Sequence, residues 1–156
     1  MIDAAYRLAY RLGYAAMRQI WRIQRPLHHG AVAALWHDGR ICLVRPSYRR
    51  TWELPGGGVR RGESAVDAVR RELREELGLE VQAERFTQVV ETQQWRDSRR
   101  DHLIVLRVDL PLLPTLVPDN REIVKACFMY PAEARQLRLP RYLTEYLATL
   151  GGPALE

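Results

Sequence analysis

An α/β domain with a mixed sheet held between helices is the fold class this sequence predicts, and three observations carry it. Two apolar runs, Ala31 to His37 and Arg40 to Arg45, are joined at Asp38-Gly39, a pair that accepts the positive φ angles of a tight hairpin. A helical period from Ser64 to Gly78 has start and stop signals at its two ends. Strand-like runs and two proline-opened helices follow, so the element order is hairpin, loop, helix, strands, helices. At 156 residues the chain is long enough for one domain with a real core. No internal repeat is present, and the boundary is placed between a helix over residues 1–25 and a domain over 26–156.

Taken in order, residues 3 to 25 read as one amphipathic helix. Arg7, Arg11, Arg18, Arg22 and Arg25 recur on one face, with Leu8, Leu12, Ile20 and Ile23 across from them. Such a helix packs on the domain or on a second copy of the chain, giving a homodimer. Peripheral membrane contact through residues 3–25 is the less favoured reading, and an obligate nucleic-acid partner is not expected. Pro26 to Gly30 breaks the helix before the hairpin. The loop from Pro46 to Arg50 brings Arg45, Arg49 and Arg50 close in sequence to three consecutive glycines, Gly56 to Gly58; these arginines either hold phosphate or form an ordinary basic surface loop.

Beyond the central helix, Val81 to Trp95 and His102 to Asp109 read as long strands around a polar connection, Arg96 to Asp101. Pro111, Pro114 and Pro118 exclude regular structure through Asn120. Glu122 to Tyr130 reads as another strand. Pro131 opens a short helix and Pro140 a second, which runs to Leu150 before Gly151-Gly152 ends it.

The stretch from Gly57 to Leu79, GGVRRGESAVDAVRRELREELGL, carries the chemistry. Ser64 can cap the helix, with Asp67 completing a capping box, and Gly78 can close it in the left-handed conformation. At about 100° per residue Val66, Val69, Leu73 and Leu77 form the buried stripe, and Glu72, Glu75 and Glu76 fall together on the adjoining flank. Ala65 and Ala68 lie on that flank too, leaving room for a ligand. A solvated face with an Arg71 to Glu75 pair is the plain interpretation. Three glutamates near the negative end of the helix dipole, at mutually repelling spacings, are better explained by a bound hard cation. With no cysteine or histidine among them, magnesium or manganese is favoured over zinc or copper.

These residues resemble the Nudix box, G-x5-E-x7-R-E-U-x-E-E-x-G-U with U apolar. Gly57, Glu63, Arg71, Glu72, Leu73, Glu75, Glu76, Gly78 and Leu79 fill every defined position, and Trp52-Glu53-Leu54-Pro55-Gly56 resembles the family's lead-in. The resemblance covers residues 30 to 140 and implies an α/β/α sandwich. It also implies hydrolysis of a nucleoside diphosphate linked to a further group, by metal-assisted attack of water at phosphorus. Carried over, Glu75 and Glu76 would hold Mg2+ or Mn2+ with the carbonyl of Gly56, and Glu72 would bind metal or orient the water. Arg71 would fix Glu75, and Glu63 would steady the loop against the helix. Some members use a base beyond the box; here Glu122 is the candidate, with an exposed strand-end glutamate as the alternative.

Signatures of ADP-ribose, dinucleoside polyphosphate and coenzyme A hydrolases are missing, with Gln94, Arg96 and Asp97 where the first two would differ. A nucleoside triphosphate or nucleotide sugar remains as substrate. A non-catalytic module that binds a nucleotide or an RNA end is the alternative from another class.

The net charge of +5 would draw in a phosphorylated substrate, while the preference for arginine, with Lys125 the single lysine, is open to codon usage as its cause. Cys42 and Cys127 lie in apolar stretches and make no disulfide framework, which fits a reducing cytoplasm. No apolar stretch approaches the length of a membrane span, and Arg7 and Arg11 interrupt the one candidate for a signal-peptide core. His28, His29, His37 and His102 show no metal-ligand spacing. Because every box residue lies beyond residue 25, the N-terminal helix is expected to be dispensable for chemistry.

Overall fold

The structure is a computed structural model that describes residues 2–24, 26–96 and 99–150. Its elements are α1 (Ile2–Gln24), β1 (Leu27–His37), β2 (Arg40–Pro46), β3 (Gly56–Gly58), α2 (Ala65–Leu77), β4 (Thr87–Arg96), β5 (Arg99–Asp109), β6 (Ile123–Met129), α3 (Pro131–Ala134) and α4 (Arg141–Thr149). The six strands form one mixed sheet in the order β4-β5-β1-β2-β6, with β3 added beside β1. The β1–β5 pairing is parallel, from Leu27 opposite Arg100 to Trp36 opposite Asp109, and the other pairings are antiparallel. Asp38 and Gly39 both take positive φ, 48° and 70°, as the hairpin required.

Strand alternation sorts the core into two layers. Ala31, Ala33, Leu35, Cys42, Val44, Leu106 and Val108 point toward α2 and pack on Ala68, Val69, Leu73 and Leu77. Val32, Ala34, Trp36, Ile41, Leu43, Leu103 and Val105 point the other way, onto Ala134, Tyr142, Leu143, Tyr146 and Leu147 of α3 and α4. The predicted sandwich is therefore present. Truncating a fully buried Leu73 or Leu143 to alanine removes about 2–5 kcal/mol from one layer or the other.

Helix α2 starts and stops where its caps dictate. The Ser64 hydroxyl accepts the Asp67 N–H at 3.1 Å and donates to the Asp67 carboxylate at 2.7 Å. Gly78 takes φ 66°, its N–H reaching Arg74 O, while Leu79 N–H reaches Leu73 O, a Schellman closure. The proline-rich stretch after β5 is irregular, as expected, and serves α2: Val117 N–H and Asp119 N–H bond the carbonyls of Leu77 and Glu76.

Three expectations need correction, and the orientation of α1 is new. The strand read from Val81 begins at Thr87, because Ala83–Arg85 closes a 3-10 turn and Val81 and Phe86 are used as loop anchors on the α2 core. Gly56 to Gly58 is a short strand rather than a free loop, paired with Gly30 to Val32. Ala68 is buried in the core and leaves no ligand space. On α1 it is the arginine and tyrosine side that meets the domain: Arg7 Nε donates to Asn120 O (2.8 Å), Arg11 Nε donates to Ser47 O (3.0 Å), and Arg121 lies over the Tyr6 ring. The leucine and isoleucine face points outward. Arg25, the tip of the Arg96 to Asp101 connection and the Gly151-Gly152 stop lie at least in part outside the described residues.

Candidate active site

The site is a cavity of about 390 Å³ between α2, β3, the start of β6 and the inner side of α1. Its wall includes Glu72, Glu75 and Glu76 from α2, Gly56 to Gly58 from β3, and Glu122. Two glycines set its floor. Gly56 adopts φ 131°, and a Cβ there would collide with Ala31 O and come within 2.7 Å of Val32 Cα. At Gly57 a Cβ would sit 2.6 Å from Glu72 Oε1, so the glycine leaves that carboxylate its place.

Arg71 is the organiser. Its Nε and Nη2 donate to the two oxygens of Glu63 at 2.9 and 3.1 Å, Nη2 also donates to Gly58 O at 3.0 Å, and Nη1 donates to Glu72 at 2.6 Å. Its ion pair with Glu75, at 3.6 Å, is the longest of these, so Arg71 fixes Glu63 and Glu72 more closely than Glu75. Glu63 also accepts Arg60 N–H at 2.9 Å, and the Arg71 guanidinium with that N–H holds its carboxyl well below the usual range, at about 2. Glu63 thus ties the turn before α2 to the helix.

Glu76 is buried, with Gly56 N–H donating to its Oε2 at 3.0 Å. Burial pushes its carboxyl well above the ordinary value against the pull of that hydrogen bond, and Glu72, Glu122 and Asp119 add repulsion. Gly56 therefore does meet Glu76, through its amide. Glu122 is largely withdrawn from water at the strand start. Tyr48 donates to it at 2.9 Å, and the Asp119 carboxylate accepts the N–H groups of Glu122 and Ile123 and fixes its backbone. Burial, with Glu72 and Asp119, raises its pKa.

Among the described residues, no three His, Cys, Asp or Glu side chains form a ready-made metal shell. The reason is visible: Glu72 is drawn to Arg71, Glu75 is half-exposed, and Glu76 is held by Gly56. The donor chemistry nonetheless fits a hard divalent cation. Glu72, Glu76 and Glu122 are all-oxygen donors that face one cavity and repel one another, a cost that a cation among them would remove.

Arg49 lines the same cavity, paired with Glu53 at 3.0 Å and lying over the Tyr14 and Tyr48 rings. Arg45 does not; it lines a neighbouring basic cavity with Arg7, Arg11 and Arg49 itself. Sequence reasoning missed Tyr14, Trp21, Tyr48, His28 and Asp101, all of which line the glutamate cavity. Tyr14 accepts Arg49 Nε–H at 2.9 Å, and its ring meets Trp21 edge-on and Tyr48 at a tilt. Helix α1 is therefore not remote from the box, as its position in the sequence suggested.

The fold and site together define a mixed-sheet sandwich that presents a carboxylate helix to a glycine strand. The NUDIX domain model matches residues 27–149, and the chain belongs to this family. A MutT-like protein of Streptomyces ambofaciens is 39% identical over 66 residues, covering 41% of this chain and 43% of its own length. Nucleoside triphosphatase NudI of Escherichia coli O139:H28 is 35% identical over 97 residues, covering 56% of this chain and 66% of its own. This chain thus spans only 43% and 66% of the relatives it matches. The solution structure of the E. coli ORF135 protein superposes with a TM-score of 0.65 at 27% identity, over 85% of this chain and 97% of that one.

Proposed function

We propose that this protein is a divalent-metal-dependent pyrophosphohydrolase that cleaves the diphosphate linkage of a nucleoside diphosphate derivative. The observation that carries the reading is the convergence of Glu72, Glu75, Glu76 and Glu122 on one cavity floored by Gly56 and Gly57. Glu76, Glu72 and Glu75 are the residues that would hold Mg2+ or Mn2+, with Gly56 beside them. Such an ion neutralises the diphosphate and lowers the pKa of bound water.

The remaining work falls to the chain. Arg71 holds Glu72 in place and Glu63 holds Arg71. Glu122, with its proton affinity raised by burial, suits a general base that takes a proton from the attacking water onto its carboxylate. Arg49 offers a cation to phosphate, and Tyr14, Tyr48 and Trp21 offer ring faces to a base. The name of the NudI relative favours a nucleoside triphosphate, and a nucleotide sugar is the other substrate class that the missing signatures leave. The free thiols of Cys42 and Cys127 suit a cytoplasmic setting. No helix among the described residues is long and apolar enough to cross a membrane.

The test is a panel of nucleoside triphosphates and nucleotide sugars incubated with magnesium, with products separated and identified. Turnover of at least one substrate, lost on addition of chelator, is the expected result. Nucleotide binding without turnover of any of them would favour a binding module instead.

A further inference from the structure

We infer that the outward face of α1 seats on an anionic phospholipid surface. The helix is docked by its polar side. Arg7, Arg11 and Tyr14 bond to the loops around Asn120, Ser47 and Arg49, and Trp21 faces the cavity. The opposite side carries Leu8, Leu12, Ile20 and Ile23, which are 57%, 62%, 41% and 85% exposed, with Ala5, Ala9, Ala15 and Ala16 between them. Leu27, at the start of β1, is a further exposed leucine near the helix end, at 55%. From Ala5 to Ile23, with Gln19 as the polar residue inside it, this is an apolar band roughly 28 Å long at 1.5 Å per residue. Contiguous apolar surface of that extent marks an interaction site.

Charge decides what covers it. The exposed Arg18 and Arg22 flank the band along one border, and Tyr6 and Met17 along the other, while no acidic residue occurs between Asp3 and Asp38. Two copies paired antiparallel through this face would set arginine against arginine, and paired parallel would set the arginines against the Tyr6 and Met17 border; in neither does a carboxylate on the helix beyond its first turn answer them. Like charges across such a seam oppose pairing. An anionic bilayer supplies the missing complement: the leucines and isoleucines enter the headgroup and acyl boundary while the arginines reach the phosphates. The helix would then lie in the membrane plane, held between lipid and the cavity wall.

The experiment is flotation of the full-length protein with vesicles of neutral phosphatidylcholine and with vesicles containing phosphatidylglycerol, at low and high salt. The control variant is Leu12→Gln/Ile23→Gln, which alters two exposed side chains and should leave the fold and the thermal midpoint unchanged. Binding to the anionic vesicles alone, weakened by salt and reduced at least about tenfold in the double variant, is the expected result. No flotation with either vesicle, or equal flotation of both proteins, would overturn the inference. So would a stable dimer in light scattering that the double variant converts to monomer, since a second copy would then be the occupant.

Discussion

Replacing Glu76 with Gln separates the energetic role of the buried carboxylate from its chemical one. Glu76 is 6% exposed, and its pKa is raised first by burial and then by repulsion from Glu72, Glu122 and Asp119. Between the unfolded value of about 4.3 and the raised folded value, the folded chain holds a proton that the unfolded chain has released. Stability must therefore fall as pH rises through that window, at about 1.4 kcal/mol per pH unit. Glutamine keeps the size and can still accept Gly56 N–H, so in chelator at pH 7 the variant should be more stable than wild type. The gap should close toward pH 4. Magnesium should narrow or reverse it, since wild type gains about 2.7 kcal/mol at a hundredfold excess over Kd and the variant gains less. Turnover should fall a hundredfold or more, about 3 kcal/mol of lost transition-state stabilisation. Thermal unfolding from pH 4 to 8, with chelator and then with magnesium, measures all but the last. Identical pH slopes and identical magnesium responses in the two proteins would refute the buried, repelled carboxylate and the cation site together.

Gly57→Ala should change stability by less than about 1 kcal/mol, because its Cβ meets only the terminal carboxyl of Glu72, yet lower kcat at least about tenfold by displacing that carboxylate. Comparing unfolding with turnover checks it. For Glu122, a base must be ionised, so the acid limb of kcat/KM should lie above the ordinary glutamate value and activity should be lost as pH falls through it; Glu122→Gln should remove the limb with a loss of about a hundredfold. Deleting residues 2–24 should raise KM, because Tyr14 and Trp21 leave the cavity wall, while kcat in the same experiment tests the expectation that the helix is dispensable for chemistry. Steady-state kinetics on Trp21→Ala gives the same comparison in the full chain. Magnesium or manganese should support turnover and zinc alone should not, given oxygen-only donors.

What could be read from the sequence was whatever local chemistry decides. Ser64 and Gly78 bound α2 to the residue because a cap bonds groups within four positions of itself. Asp38-Gly39 likewise marked the hairpin. The carboxylate set on α2 followed from helical spacing. Long-range partners were not legible. Helical periodicity separates the leucine face of α1 from its arginine face, but which side meets the domain depends on Asn120 O and Ser47 O, carbonyls offered by loops far along the chain. Tyr14 gave no signal at all, since its role comes from Arg49 and Tyr48 arriving beside it. Arg45 and Arg49 looked equivalent four residues apart, and both line the basic cavity beside α1, yet only Arg49 also reaches the glutamate cavity.

The central claim is that water attacks phosphorus within the cavity of Glu72, Glu76 and Glu122. The most direct measurement is hydrolysis in 18O-labelled water with magnesium, followed by mass spectrometry of the products of wild type and of Glu72→Gln/Glu76→Gln. One 18O atom in a product phosphate per turnover, at a rate reduced a hundredfold or more in the double variant, is the predicted result. Label incorporated equally fast by the double variant, or a nucleotide bound and recovered unlabelled and intact, would contradict it.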